Sequence, residues 1–498
     1  MCIRDSISSA NKNISDYPSD AAIIGLFEDK DFIQEIKTID NKLDGLIKKL
    51  ITKSEISRGF GEIREIHTFG HIKPERLIVI GLGSSQEFST AKLRLLMAKV
   101  IRYCENRHLQ NISSLVHWYE DHLDFKKVTQ ALTEGLLLGI YQFDRYKKNK
   151  KEVNEINFVI TEIEKSHIEA IDEGIKTGQI TASSTNLCRD FINEPANVLT
   201  PTEFSTRVSE YLKHPNLNIE ILGSKEMQDL GMNAALGVAK GSTQPPKLII
   251  IDYQGCSGNT DNTVTFIGKG ITFDSGGISL KPALNMGDMK GDMSGAAVVI
   301  SATKAIAELN LEVNLKTIVI ATENMPGGSA QKPGDIVISM SGKSIEIDNT
   351  DAEGRLILAD AITYARKLGA QKIVDVATLT GAISVALGNV YAGIFGNDQS
   401  LIDKIISVGE TCGEKFWQLP LSPDYAKQND SVVADIKNTG GRLAGSITAA
   451  EFLHAFVEDT SWVHIDIAGT ARSRKNTYLR EGATGITVRT LIDLVNYI

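Results

Sequence analysis

The hydrophobic positions change period repeatedly along the chain, and the changes mark out its elements. Apolar runs at 23–27 and 76–83 predict buried strands, and helical spacing over 91–103 and 128–138 predicts helices. Residues 1–170 therefore read as an independent, smaller α/β domain. A continuous helical pattern over 168–192 leads out of it and stops at Asn193-Glu194-Pro195-Ala196-Asn197. Proline cannot continue a helix and turns the residue before it away from helical geometry. The boundary is placed near residue 170, which leaves 171–498 as a second, larger domain.

That second domain alternates strand and helix. Runs rich in β-branched residues at 248–253, 264–267, 315–321 and 372–377 predict strands, and 291–309, 356–368 and 449–458 predict helices. Such alternation implies an α/β/α sandwich with a mixed, largely parallel sheet covered on both faces. Ligands bind in these folds outside the carboxyl ends of the strands. The polar residues gather there: 264–267 runs out into a stretch with Gly268, Lys269, Gly270, Asp274, Gly276 and Gly277, and 372–377 into Thr378-Leu379-Thr380-Gly381. A third junction is Asn349-Thr350-Asp351-Ala352-Glu353-Gly354-Arg355-Leu356, between a strand-like alternation at 344–348 and a helical pattern. Carboxylates at a helix start are favoured by the dipole and by capping, so Asp351 and Glu353 taken alone would be simple caps.

Composition narrows the class. The chain has 498 residues, 42% hydrophobic and 23% charged, the balance of a globular protein of two or three domains. No run of 18 apolar residues exists and no secretory signal is readable near the start, so a cytoplasmic protein with no membrane partner is expected. The five cysteines are scattered, without a C-x-x-C pair. Charge is uneven: residues 1–170 are balanced at 25 basic and 25 acidic, so the whole net charge of −9 lies beyond them. A surface of that sign repels phosphate backbones and argues against DNA binding. The basic run at 145–151 is the exception and reads as solvated surface. Gly81-Leu82-Gly83 after a strand invites a dinucleotide reading, but Gln86 stands where the third glycine belongs, which leaves a tight turn.

What changes the reading of the acidic pair is a second cluster upstream: Lys269, Asp274, Lys281, Asp288 and Asp292, set among glycines. Carboxylates converging at strand ends and helix starts repel one another unless a cation is present, and a divalent metal pair sharing a bridging carboxylate resolves this. Mn²⁺, Mg²⁺ or Zn²⁺ suits carboxylate-rich ligands, and no histidine lies between His214 and His454 to build a histidine-based zinc site. A lysine beside such a pair can ligate a metal as a neutral amine or stabilise an oxyanion as an ammonium. A two-metal phosphoesterase would want similar carboxylates, but it leaves two lysines without distinct uses.

Residues 268–282, with Asp292-Met293-Ser294-Gly295-Ala296-Ala297 and the octet at 349–356, resemble the leucyl aminopeptidase (cytosol aminopeptidase) family in residue type, spacing and order. Softer matches fall at 141–147, 193–201, 466–470 and 485–491; the first 140 residues match loosely. One departure is Gly291, where the family commonly has alanine. The resemblance implies hydrolysis of the N-terminal residue, leucine and other apolar ones favoured, from short peptides. It implies two divalent metal ions per subunit, Mn²⁺ or Zn²⁺ with Mg²⁺ or Co²⁺ as alternatives. Glu353 and Asp274 would touch both, Asp351 would complete the exchangeable site, and Asp292 and Lys269 the tighter one. It implies Lys281 as the oxyanion donor and Arg355 as the holder of a bicarbonate base. Thr378, Leu379 and Gly381 would line the cleft, with Met289 and Ala468 walling the side-chain pocket. It also implies a homo-hexamer, with an oligomerisation or access role for the N-terminal domain.

Overall fold

The computed structural model describes residues 6–116, 124–149, 155–256, 263–473 and 479–498. The opening residues 1–5 and the last two lysines of the basic run, Lys150 and Lys151, lie outside them. The chain divides into two compact units, Met1–Ser183 with Asn476–Arg480, and Ser184–Lys475 with Glu481–Ile498. The division falls inside one helix, Ile168–Asn193.

The first unit holds a six-stranded sheet in the order Ser6–Asn11, Asn157–Glu162, Asn111–Leu115, Ala21–Phe27, Arg76–Gly83, Ile63–His67. All pairings are parallel except that of the Ile63–His67 edge. Ala21–Phe27 is buried at every position, as a continuous apolar run must be when both faces of a parallel sheet are covered. The predicted helices appear as Thr90–Asn106 and Phe125–Ile140. Gly81 departs from expectation: it lies within the Arg76–Gly83 strand and not in a turn, and glycine is needed there because a Cβ would overlap the Gly59 carbonyl.

The second unit is built on eight strands, in the order Phe416–Gln418, Ala392–Gly396, Ser461–Asp466, Lys372–Ala377, Thr263–Asp274, Asn314–Asn324, Lys247–Gln254, Leu217–Leu222. The centre is parallel, with Thr263–Asp274 between Lys372–Ala377 and Asn314–Asn324. Antiparallel pairings flank it on both sides. The fold is thus α/β, with a smaller N-terminal part and a larger part on a mixed, largely parallel sheet, as the sequence predicts. Among the described residues no helix is long and apolar enough to cross a membrane.

Two boundaries differ from expectation in ways that matter for the site. The strand predicted at 264–267 continues to Asp274, so Lys269 projects from within a strand. Its glycines do not end it; they admit neighbours. A Cβ on Gly268 would lie 2.6 Å from Ala296 Cα of the Ser294–Glu308 helix. Residues alternate across a strand, so Ile267 and Lys269 face the other way, towards the Glu353–Lys367 helix. The helix predicted from 291 begins at Ser294, which leaves Asp292 just after the 3₁₀ turn Met286–Gly291 and outside the helix proper.

The close helix–strand approach yields a prediction. A Cβ on Gly295 would overlap the Val376 carbonyl, a backbone atom that cannot swing away. Gly295→Ala is expected to lower stability by about 1–3 kcal/mol, the usual range for overpacking, and urea titration followed by circular dichroism measures it. An unchanged midpoint would show that this helix has room the packing denies.

Candidate metal centre

Three strand or turn ends and one helix start bring the acidic residues together. Asp274 is the last residue of its strand, Asp292 follows the 3₁₀ turn, and Glu353 is the first residue of the Glu353–Lys367 helix. Asp351 is two residues before that helix, and its backbone N–H donates to Asn349 Oδ1 at 2.9 Å. The helix N-cap, Ala352, has no side-chain cap, so neither acid is spent on capping. One carboxylate oxygen from each of Asp274, Asp351 and Glu353 lies within 4.8 Å of the others.

Two lysines bind this cluster from opposite sides. Lys269 Nζ lies 2.9 Å from Asp292 Oδ2 and 2.9 Å from Glu353 Oε1, and donates to the Thr378 carbonyl at 2.9 Å. Lys281 Nζ lies 2.8 Å from Asp274 Oδ2 and 2.5 Å from Asp351 Oδ1. Lys269, Asp274, Asp292 and Glu353 are buried; Lys281 and Asp351 are partly exposed. Asp288 does not join them, since it pairs with Arg472 at 3.1 Å.

The electrostatics follow from this geometry. Burial pushes the Asp274 carboxyl up to about 6, aided by Glu353 and opposed by Lys281 and Lys269. Burial likewise raises Asp292 well above the carboxylate range, against the pull of Lys269, and raises Asp351 against that of Lys281. For Glu353 burial again pushes upward, but the two lysines outweigh it and hold it low. Burial disfavours both ammoniums, yet Asp292 and Glu353 outweigh it at Lys269, and Asp274 and Glu353 at Lys281, so both lysines sit above their ordinary value. Four carboxylates outnumber the two lysine amines that pair with them, so the cluster is formally short of positive charge at its centre. Glu353 Oε2 is moreover buried with no hydrogen-bond partner among the described residues. A buried carboxylate oxygen without a partner is costly; together with the shortfall of positive charge it fits divalent cations held by these oxygen ligands.

Residues not singled out in the sequence hold the cluster in place. Asn324 Nδ2 donates to Asp274 Oδ1 at 2.8 Å and to the Thr350 carbonyl at 3.0 Å, tying two ligand-bearing segments together. Thr350 Oγ1 donates to the Gly276 carbonyl and accepts from the Ser279 N–H. Asp466 accepts from the Leu379 N–H at 3.0 Å and Thr380 Oγ1 at 2.7 Å, so it fixes the 378–381 segment. The register could have suggested Asn324: it is the strand neighbour of Asp274. Thr378 belongs here directly, its hydroxyl donating to Asp292 Oδ1 at 2.7 Å. Leu379, Met289 and Ala468 are half-buried and Gly381 is exposed.

Arg355 is buried two residues into the helix, and burial lowers its guanidinium to about 10 although Glu353 works against that. Its Nη1 donates to the Asn438 carbonyl at 2.6 Å, while its Nε is buried with no hydrogen-bond partner among the described residues. That leaves an unused donor suited to a small anion.

A buried, lysine-braced carboxylate cluster beside the carboxyl ends of the strands of a mixed α/β sheet is the arrangement of an α/β enzyme with a candidate metal centre. Residues 186–492 match the model of the cytosol aminopeptidase family catalytic domain, residues 23–150 match that family's N-terminal domain, and the chain belongs to this family. It is therefore a peptidase that acts on peptide N-termini with the help of metal. The chain is 43% identical to a probable cytosol aminopeptidase of Alkaliphilus metalliredigens over 97% of this chain and 98% of that one. A similar protein from Geobacter sulfurreducens is 40% identical over 96% of each chain. Among solved structures, a mutant of tomato leucine aminopeptidase superimposes with TM-score 0.87 at 31% identity, covering 99% of this chain and 96% of that one. The bottromycin maturation enzyme BotP in complex with Mn gives 0.83 at 30% identity, covering 96% and 99%.

The packing against Lys269 is directly testable. A Cβ on Gly354 would lie 2.5 Å from Lys269 Cε and 2.6 Å from its Nζ. Gly354→Ala is expected to displace the amine and lower kcat/KM by about 10²-fold, the scale of a misplacement near 1 Å, with an unchanged circular dichroism spectrum. Wild-type turnover in this variant would mean that the position of Lys269 is immaterial.

Proposed function

We propose that the protein removes leucine and other apolar N-terminal residues from short peptides, using two divalent cations held by Lys269, Asp274, Asp292, Asp351 and Glu353. The observation that carries this reading is the excess of carboxylates over lysine amines in the cluster, with Glu353 Oε2 buried and without a hydrogen-bond partner among the described residues. Asp274 and Glu353 would each serve both ions, Asp351 the exchangeable one, and Asp292 with the Lys269 amine the tighter one. Mn²⁺ or Zn²⁺ suits this set, with Mg²⁺ and Co²⁺ as alternatives; the similar BotP structure, a complex with Mn, supports the first of these. When bound, such a pair supplies Lewis-acid charge and acidifies water near neutral pH.

The chain's own residues do the rest. Lys269 would be a ligand in its neutral amine form, and the Thr378 carbonyl beside it keeps the amine aimed. Lys281, which pairs with Asp274 and Asp351 from the more exposed side of the cluster, would donate to the scissile carbonyl oxygen as it becomes an oxyanion. Lys281 stands on the segment after Gly276 and Gly277, both at positive φ, and is the more exposed of the two lysines. Arg355, whose Nε has no hydrogen-bond partner among the described residues, would hold a bicarbonate ion, which would supply the general base. Thr378, Leu379 and Gly381 line the cleft and Met289 and Ala468 wall the pocket for the first side chain. The functional domains are taken as 1–170 and 171–498, and the N-terminal one would serve oligomerisation or access in a cytoplasmic homo-hexamer.

Metal removal tests the centre. Chelation is expected to abolish activity and Mn²⁺, Co²⁺ or Zn²⁺ to restore it, whereas Asp274→Ala and Glu353→Ala stay at background even in excess metal. N-acetylated leucyl peptides are expected to be refused, because acylation removes the amine lone pair; equal rates on free and acetylated substrates would sink the aminopeptidase reading.

The two lysines are expected to fail differently. Lys281→Ala loses about 10²–10³ in kcat, as removal of one oxyanion donor does, and keeps its metal. Lys269→Ala loses metal and is partly rescued by excess. Lys269→Arg is no better, since a guanidinium does not deprotonate. Metal analysis of the purified variants decides; equal occupancy in the two alanine variants would reverse the assignment.

A further inference from the structure

At the end of the central sheet away from the carboxylate cluster, the face that carries Ile267 and Lys269 turns polar. Two successive rows cross three neighbouring strands: Asp252, Lys316 and Thr265, then Gln254, Asn314 and Thr263. Spacing of two along each strand puts both rows on one face. Further along that face Ile250, Ile318 and Ile267 pack in one core with Leu358, Ile362 and Ala365 of the Glu353–Lys367 helix. The helix ends at Lys367, and the chain turns away at Gly369, whose φ is 85°. Beyond that end the polar rows open into a cavity of about 550 Å³, a volume in the range of small-molecule sites.

Two features of the cavity point to a ligand. Thr265 lines it, is 1% exposed, and its hydroxyl is buried with no hydrogen-bond partner. A valine would fill the same volume without a stranded polar group, so the hydroxyl is explained if something in the cavity pairs with it. Beside it, Lys316 and Asp252 form an ion pair with side chains 19% and 34% exposed. A pair of opposite charges can part around a molecule that carries both. The C-terminal end of the Glu353–Lys367 helix, at Leu368 and Gly369, also lines the cavity and favours positive charge there.

We propose that this cavity is a second binding site, for a small polar α-amino acid. Its ammonium pairs with Asp252, its carboxylate with Lys316, and the Thr265 hydroxyl completes the contact. The site is independent of the catalytic centre: from Thr265 the strand runs about 13 Å to Lys269 and about 30 Å to Asp274. It does not rest on the proposed chemistry, because none of its groups belongs to the metal cluster.

Calorimetric titration of the metal-loaded enzyme with L-glutamine tests it. The wild type is expected to bind one equivalent more per chain than Lys316→Met or Thr265→Val, while kcat/KM on a leucyl peptide stays the same in all three. Binding at the catalytic centre is common to the three proteins and cancels in the comparison. Equal stoichiometry in the wild type and a folded Lys316→Met overturns the proposal. Should that variant fail to fold, Thr265→Val, nearly isosteric, carries the decision by the same criterion. Acetate and methylammonium, each with one of the two charges, are expected to leave the extra equivalent unfilled; filling by acetate alone overturns the zwitterion in favour of a simple anion site.

Discussion

Four carboxylates drawn into one largely buried cluster are the constraint on which the rest of the catalytic unit depends. Unpaired, each would be costly to bury, and together they would repel. Lys269 and Lys281 offset part of that cost by each bridging two carboxylates, and the hydrogen bonds to Asp274 and Asp292 from Asn324 and Thr378 offset more. A buried ion pair is poor evidence of stability, since desolvation cancels much of the attraction. The cluster is therefore better understood as a site maintained at the expense of stability, with its cost distributed over the strands and turns that converge there.

Backbone proximity makes the convergence possible. Gly268 and Gly295 let the Ser294–Glu308 helix sit against the sheet from one side, and Gly354 lets the first turn of the Glu353–Lys367 helix close over Lys269 from the other. Each of these glycines has another group where its Cβ would be. The central strand is thus clamped between two helices, both of which start at the cluster, and the positions of Glu353 and Lys269 are set by packing before any charge is considered. Small residues in this segment are a packing requirement first and a source of backbone freedom only at Gly276 and Gly277, where φ is positive.

Much of this is legible in the sequence because the site uses strong local signals. The octet at 349–356 does sit at a junction into a helix, and the separated clusters do meet. Polar contacts made by unremarkable residue types are not legible. Nothing in Asn324, Thr350 or Asp466 distinguishes a residue that braces an acidic cluster from one that caps a turn, and only the strand register brings Asn324 beside Asp274. The glycine-rich stretch after 267 reads as the end of a strand because glycine weakens strands; packing across both faces outweighs that propensity and carries the strand to Asp274. The same override leaves Asp292 ahead of its helix, where a turn and not the helix dipole fixes its carboxylate.

The two lysines look alike in sequence, yet the structure gives them unlike surroundings. Lys269 rises from the middle of a buried strand, is covered by Gly354, and is held at three points by Asp292, Glu353 and the Thr378 carbonyl. Such a side chain has little freedom, and a fixed donor suits a role that depends on constant geometry. Lys281 follows a turn with two positive-φ glycines, is partly exposed, and among the described residues its amine pairs with the two carboxylates alone. It can exchange those partners for a substrate oxygen with less rearrangement than Lys269 would need. Rigid burial against conditional pairing is a physical difference between them, and the proposed division of labour rests on that difference.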